Sequence, residues 1–354
     1  MNIKDVFSKR LKSARLLNGF SLQVLANEIG GVVSRQALHR YEKAEVLPNS
    51  DIIDSLSKAL KVSSDYFFNT SKVELDNIEF RKVKNVSQRA IDIIKEKVRE
   101  YLTRYLELEE IIGNYSKFIN PLQELDEINT YDQVHAAARI LREKWRLGIA
   151  PVYNIVELLE DKNIKVVELE VEDGFDGLQT MLNNKIPVIA YNKKKNFNSC
   201  RIRFTLLHEL GHLLLKFGKI SNHEKETLCH QFAGAVLLPE EAVLFELGNH
   251  RNKLSILELG AIKRQYGISM QAIIMRAKVV GIISEYYTRQ LFIMIKHRNW
   301  SIDEPIDYEG IEKSDRFVQL LFRALIEEQI SLSKAAALSN MSLAEFRKTY
   351  QFLL

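Results

Sequence analysis

The chain contains little cysteine and no long apolar run. Only two of its 354 residues are cysteines, Cys200 and Cys229, which is too few for a disulfide framework. No uninterrupted apolar stretch reaches the roughly eighteen residues that a membrane-spanning helix needs. Residues 1–17 carry charges throughout and lack an apolar segment, so they do not indicate a secretory signal. These absences predict a cytoplasmic protein that does not bind a membrane.

The chain also lacks a strong excess of charge of one sign. Its 50 Lys and Arg residues against 46 Asp and Glu residues give a formal net charge of +4, which alone does not indicate nucleic-acid binding. A local excess lies between Arg81 and Arg99, where seven basic residues accompany two acidic ones. This segment is either a solvated helical face or a phosphate-contacting one, and its composition leaves both interpretations open.

The spacing of apolar residues predicts a mainly α-helical protein with a small β-sheet. Two stretches rich in β-branched residues, 164–171 and 186–192, are predicted to be strands. The predicted divisions are an all-α domain at 1–70, a linker and long helix at 71–125, an α+β domain at 126–250, and a helical C-terminal region with a sensing or dimerisation role at 251–354.

The first 70 residues have the features of a DNA-reading helix-turn-helix. Asn18-Gly19 and Gly30-Gly31 break the helical pattern, and Ser34 is predicted to cap a third helix. In such a motif this helix enters the major groove, where Arg can read guanine and Gln can read adenine. The candidate DNA contacts are Ser34, Arg35, Gln36, His39 and Arg40.

The order of these residues resembles the phage-repressor-type (Xre) helix-turn-helix family across residues 3–68. The sequence departs from that family in two places. Leu22 stands where the family carries a DNA-contacting glutamine, and the turn Gly30–Val33 is two residues longer than usual. The resemblance implies a double-stranded DNA operator as partner and a homodimeric protein. A helix-turn-helix that serves only protein contacts is the alternative.

A second pattern, HELGH at residues 208–212, lies in an apolar predicted helix. His208 and His212 are one turn apart, so both imidazoles can reach one cation, with Zn²⁺ preferred and Mn²⁺ as the other candidate. Glu209, on the adjoining face, can accept a proton from a metal-bound water. The alternative is two histidines packed in a core. That arrangement costs desolvation free energy unless something satisfies their polar atoms.

A catalytic zinc site needs a third protein ligand, and the polar segment 221–241 offers several. The candidates are His223, Glu224, Glu226, Cys229 and His230. The residues alone do not rank them, except that a buried core cysteine is the better interpretation of Cys229.

The strings RFTLLHELGHLLL and ETLCHQFAGAVLLP together resemble the ImmA/IrrE family of metallopeptidases, across roughly residues 130–245. The resemblance implies a zincin-like zinc metallopeptidase domain in which Glu226 is the third ligand. It also implies that His230 supports the site without binding the metal. The strand 186–192 is expected to run beside the cleft and to pair with an extended substrate.

The combination of these two domains resembles regulators that carry a DNA-binding domain and a peptidase domain in one chain. It implies a transcriptional regulator whose zinc-dependent endopeptidase cleaves a helix-turn-helix repressor, or the chain's own linker near 69–85. Cleavage would switch on genes of a stress or mobile-element response. The alternative is a non-catalytic repressor or antitoxin-like regulator that uses the metal domain for partner binding or sensing.

Overall fold

A computed structural model describes residues 2–68, 87–113, 117–171, 175–182, 185–193 and 198–351. Helices dominate these residues, and the strands form one small mixed sheet, which confirms the predicted fold class. The described residues divide into two compact units. The first unit holds the described residues of 2–68, 87–113 and 321–351, and the second holds those between 117 and 320.

The N-terminal part of the first unit consists of short helices around a small core. They are α1 (Ile3–Leu17), α2 (Leu22–Glu28), α3 (Arg35–Glu42), α4 (Ser50–Leu60), a 3-10 turn (Ser64–Phe68) and the longer α5 (Gln88–Ile112). Ser21 and Ser34 cap α2 and α3 by accepting hydrogen bonds from backbone N–H groups. The cap at Ser34 was predicted from the sequence. The core between these helices includes Leu25, Leu38 and Phe67, all fully buried.

The second unit combines helices with the sheet. Its elements are α6 (Tyr131–Lys144), α7 (Ile155–Asp161), β1 (Lys165–Leu169), β2 (Gly177–Leu182), β3 (Ile186–Asn192), α8 (Ser199–Leu214), α9 (Asn222–Leu237), α10 (Glu240–Leu247), α11 (Ile256–Tyr266), α12 (Met270–Val279) and α13 (Glu285–His297). Helix α7 begins after Asn154. The Asn154 side chain accepts a hydrogen bond from the Glu157 N–H and so caps the helix.

Three further helices follow, α14 (Arg316–Ile326), α15 (Leu332–Leu338) and α16 (Leu343–Thr349). Within the first unit, Arg104 of α5 donates a hydrogen bond to the backbone oxygen of Leu338 at 2.9 Å. Among the residues that the structure describes, no helix combines the length and the apolar character of a membrane span. The predicted linker at 71–85 lies outside the described residues.

The sheet has the strand order β1-β3-β2, which places β3 in the centre. β3 runs parallel to β1 and antiparallel to β2, with Gly177 opposite Tyr191. The prediction of two strands was incomplete, because the third strand, β2, has a weak apolar pattern in the sequence and is stabilised by pairing with β3. The expectation that strand 186–192 pairs with a substrate was also wrong. Both edges of β3 are already occupied, so β2 is the edge strand on that side.

Helix α8 is at the centre of the second unit. It packs against α9, α7, β2 and β3. The apolar side chains Leu206, Leu207 and Leu210 are fully buried in the core of this unit. This packing holds the HELGH residues between the sheet and α9.

Candidate metal centre

The metal-binding residues expected on α8 and α9 come together in space. The Nε2 atoms of His208 and His212 are 3.2 Å apart. The Glu226 carboxylate lies 3.1 Å from His208 Nε2 through Oε2 and 3.4 Å from His212 Nε2 through Oε1. Among the described residues, these three form a cluster of ligand atoms that all lie within 4.8 Å of one another.

The separations fit a single small metal ion. Zinc binds His nitrogen and carboxylate oxygen at about 2.0–2.2 Å in tetrahedral geometry, which puts neighbouring ligand atoms about 3.3 Å apart. The observed separations of 3.1, 3.2 and 3.4 Å agree with this value. Two imidazoles and one carboxylate also form a donor set typical of a catalytic zinc site with an open fourth position.

The burial of the two histidines and the negative charge of Glu226 favour binding of a cation. His208 and His212 are buried at 9% and 8% exposure, whereas the Glu226 side chain is 55% exposed. Hydrogen bonds to His208, and then to His212, hold the pKa of the Glu226 carboxyl well below its ordinary value. This carboxylate is therefore ionised at neutral pH and can bind a metal without first losing a proton.

The other candidates for the third ligand do not belong to this cluster. Glu224 belongs to a capping box, in which its carboxylate accepts from the Ser221 N–H at 2.7 Å. Cys229 is fully buried and faces Gly211, where an added Cβ would lie 3.3 Å from its Sγ atom. Gly211 therefore allows α8 and α9 to approach closely, and Cys229 fills the space between them. His223 is exposed on the first turn of α9.

His230 lies next to the cluster without belonging to it. Its ring centroid is 4.4 Å from that of His208, and its ring stacks on Phe204 at 5.8 Å. This ring contact limits the orientations open to the His208 imidazole on one side. The supporting role of His230 stays a prediction.

Glu209 lies on the adjoining face of α8, against the edge strand β2. A Cβ placed on Gly177 would lie 3.0 Å from Glu209 Cγ and 2.6 Å from Thr205 Cγ2. Only a residue without a side chain lets β2 come this near to α8. Gly177 was not recognised from the sequence, although a glycine inside a strand is a signal of close approach by another element.

The candidate DNA-contacting residues share one surface of the first unit. Ser34, Arg35, Gln36, His39 and Arg40 all line a concavity between α2 and α3. The Ser34 hydroxyl oxygen accepts a hydrogen bond from the Ala37 N–H at 3.2 Å, and the other four side chains are exposed. The turn before Ser34 therefore does not prevent α3 from presenting these residues together.

A buried ion pair fixes α3 against α1. Arg15 donates from Nε to Glu42 Oε1 at 2.6 Å and from Nη2 to Glu42 Oε2 at 2.8 Å. This two-bond arrangement is the strong form of the arginine–carboxylate pair. Residue Gln23, next to Leu22, also lines the concavity and bonds to Asn27 at 3.1 Å. A glutamine is thus present at position 23, one residue after Leu22, which stands where the Xre family carries its DNA-contacting glutamine.

Comparison with known proteins identifies two families along the chain. Residues 11–67 match the family described as Helix-turn-helix, and residues 159–278 match the Peptidase_M78 family, described as IrrE N-terminal-like domain. No curated protein matches the chain. A solved structure, the apo form of ComR from S. Thermophilus, aligns over 99% of each chain at 13% identity with a TM-score of 0.17. That value is too low to bear on the fold.

Proposed function

Because the chain carries an N-terminal helix-turn-helix domain and an IrrE N-terminal-like domain, we propose that it is a DNA-binding transcriptional regulator with a metal-dependent endopeptidase centre. The helix-turn-helix domain implies DNA binding. The peptidase would act in the cytoplasm on one protein, either a helix-turn-helix repressor or this chain's own segment 69–85, which lies outside the described residues. We propose the same domain divisions as the sequence predicts, at 1–70, 71–125, 126–250 and 251–354. The last of these would serve in sensing or homodimerisation.

One observation carries the peptidase proposal. The Nε2 atoms of His208 and His212 and the carboxylate of Glu226 converge at separations that one tetrahedral ion would impose. Without an ion, two buried imidazole nitrogens would face each other at 3.2 Å with one proton between them at most. A bound cation, Zn²⁺ or alternatively Mn²⁺, satisfies both nitrogens together.

Each residue of the centre has a chemical role in this proposal. His208, His212 and Glu226 would hold a zinc ion, which would supply a water of lowered pKa and a Lewis acid for a peptide carbonyl. Glu209 would accept a proton from that water and deliver it to the leaving nitrogen. His230 keeps the His208 ring in place through its ring contact.

The edge strand β2 supports binding of an extended polypeptide. Its inner edge pairs with β3, and no described strand pairs with its outer edge. A substrate strand added there would gain backbone hydrogen bonds without regard to side chains. Gly177 holds β2 against Glu209, so a strand bound along this edge would pass close to the proposed base.

Metal analysis of three variants tests the site. Elemental mass spectrometry should find about one zinc or manganese ion per wild-type chain, and markedly less in Glu226→Ala. The variant Glu224→Ala is the matched control, since Glu224 lies on the same helix but caps it, and it should keep the ion. Absence of metal from the wild-type chain after reconstitution would refute the peptidase proposal.

The variant Glu209→Gln separates catalysis from metal binding. It should retain the ion and DNA binding but lose cleavage, because an amide cannot accept the proton. Cleavage is followed by incubating zinc-loaded chain with candidate repressors and by the mass of the chain itself. Equal product from wild type and Glu209→Gln would contradict the role of Glu209.

A further inference from the structure

The helices α15 and α16 repeat the local pattern of α2 and α3. Ser331 caps α15 and Ser342 caps α16, each by accepting a hydrogen bond from the N–H group three positions later. Ser21 and Ser34 cap α2 and α3 in the same way. The two caps are 11 positions apart in the C-terminal pair and 13 apart in the N-terminal pair. The C-terminal turn therefore lacks the two residues that lengthen the turn at Gly30–Val33.

Burial and backbone conformation follow the same pattern in both pairs. The fourth residue after each cap is fully buried, and these residues are Leu25, Leu38, Ala335 and Phe346. The residue directly after the first helix's C-cap has a positive φ, 70° at Gly30 and 56° at Asn340. The Phe346 ring packs on that of Phe322, with centroids 6.2 Å apart. The helices α15 and α16 thus have the features of a second helix-turn-helix.

Two exposed basic side chains lie on α16. Arg347 and Lys348 are the fifth and sixth residues after its cap, the positions that His39 and Arg40 occupy after the cap of α3. In the part of the chain that the structure describes, neither Arg347 nor Lys348 pairs with an acidic side chain. Glu345, the acidic residue of α16, accepts a hydrogen bond from the N–H at the helix cap at 2.8 Å. The exposed surface of α16 therefore suits a phosphate-bearing partner.

The base-reading positions of α16 differ from those of α3. Arg35 and Gln36 correspond to Leu343 and Ala344, whose side chains have no hydrogen-bonding atoms. Base pairs are distinguished mainly by such bonds, whereas contacts to phosphates carry no sequence information. Helix α16 is therefore suited to hold the DNA backbone and not to read its sequence.

Both helix-turn-helix modules are attached to the long helix α5 within the first unit. Arg10 of α1 pairs with Glu100 at 3.5 Å, and Arg104 donates to the backbone oxygen of Leu338 at the end of α15 at 2.9 Å. Glu100 and Arg104 are about 6 Å apart along the helix axis. This separation is much shorter than one turn of DNA, about 34 Å, so one duplex can extend across both modules.

From these observations we propose that α15 and α16 bind the phosphate backbone of double-stranded DNA beside the site that α3 reads. Arg347 and Lys348 would contact phosphates and so lengthen the bound duplex without adding sequence preference. The proposal goes beyond DNA binding by the N-terminal domain, but it rests on that binding, because α3 would select the site.

The length of the DNA tests this second contact in the full chain. An operator is selected from random duplexes with the wild-type chain. It is then prepared in two forms, one trimmed to its base-specific positions and one with about 10 base pairs, one helical turn, of unselected sequence on each side. Fluorescence anisotropy measures the affinity for each form at several salt concentrations. The wild-type chain should bind the long form more tightly, whatever the sequence of its flanks.

The double variant Arg347→Gln/Lys348→Gln should remove this gain. The slope of log affinity against log salt concentration for the long duplex should become shallower by about two, one for each lost phosphate contact. Affinity for the short duplex should equal that of the wild type. Both residues are exposed, so the fold should be kept, which equal circular dichroism spectra and melting curves would verify.

Arg323→Gln is the matched control for the single variant Arg347→Gln. Arg323 is an exposed arginine of α14 in the same unit, but it pairs with Glu327 at 2.9 Å. Its replacement removes the same charge and should leave affinity for the long duplex and its salt slope unchanged. A loss equal to that of Arg347→Gln would overturn the proposal, because net charge alone would then explain the effect.

The outcomes also separate the second contact from DNA binding by α3. Equal affinity and equal salt slope of the wild type and the double variant on the long duplex would overturn the proposal. If the double variant then also self-associates less in analytical ultracentrifugation, α16 serves protein contacts instead. Arg35→Ala should lose preference for the operator but keep the gain from the flanks. Failure of the wild-type chain to bind any duplex would overturn both proposals.

Discussion

Arg203 and Glu312 form an ion pair in which both side chains are completely buried. Arg203 lies on α8, five positions before His208. It also donates from Nε to the backbone oxygen of Gly267 at 3.0 Å. The other oxygen of the Glu312 carboxylate accepts from the Ile155 N–H at 2.7 Å. The pair therefore ties the metal-binding helix to the start of α7 and the end of α11.

The variant Glu312→Gln should strongly destabilise the second unit. Removing one partner of a buried ion pair leaves an uncompensated charge and costs about 3–5 kcal/mol. Urea unfolding followed by tryptophan fluorescence reports on this unit, because Trp145 and Trp300 are the only two tryptophans of the chain. A decrease of only about 0–1 kcal/mol in the free energy of unfolding, as for an exposed ion pair, would contradict this expectation.

Asp315→Asn provides the comparison for Glu312→Gln. Asp315 pairs with Lys313 at 3.3 Å, and both side chains are largely exposed. Exposed pairs contribute about 0–1 kcal/mol to the free energy of unfolding. The two carboxyl-to-amide changes, three residues apart, thus separate the effect of burial from that of the substitution.

Gly177→Ala should lower the free energy of unfolding by about 1–3 kcal/mol, as overpacking of a close contact does. The added Cβ would lie 2.6 Å from Thr205 Cγ2, so β2 or α8 must move. Thr205→Ser removes that methyl group, and the double variant should recover a large part of the loss. The measurement is again urea unfolding. Strictly additive losses would show that the contact with Thr205 is not the cause.

Arg35→Ala and Gln36→Ala should weaken binding to a selected operator by about 1–3 kcal/mol each, the usual contribution of a base-reading side chain. Binding to random DNA should change much less. Fluorescence anisotropy at fixed salt concentration measures both. Lys12→Ala, an exposed basic residue on α1, is the control. Equal losses on operator and random DNA would indicate that these residues contact only phosphates.

Zinc should stabilise the second unit against heat. An ion that binds only the folded state at one hundred times its dissociation constant adds about 2.7 kcal/mol. The increase in melting temperature should vanish in Glu226→Ala. Magnesium prefers oxygen ligands and octahedral geometry, so it should have little effect on the wild type. Equal stabilisation by both ions would place the effect outside the histidine cluster.

Features that depend on neighbouring residues were predicted from the sequence. Ser34 was recognised as a helix cap, and the spacing of His208 and His212 placed both on one helical face. Glu226 was ranked above its neighbours only through a family resemblance, because its approach to His208 depends on how α9 packs on α8. That packing is set partly by Gly211, where α9 approaches α8 closely.

Features that depend on distant residues were missed. The strand β2 has a weak apolar pattern and is stabilised by pairing with β3. Arg203 and Glu312 are 109 positions apart, so nothing near either residue indicates a partner. The central position of β3 follows from register with β1, which sequence periodicity does not reveal.

The strand order also has a consequence for how the second unit folds. β1 pairs with β3 and not with β2, its neighbour along the chain. A hairpin of β2 and β3 can form early, whereas the parallel pairing must close a longer loop and is slower. Helix α8 packs on β2 and β3, so a hairpin alone already offers it a surface. The histidine-bearing helix can therefore dock on this hairpin before β1 completes the sheet.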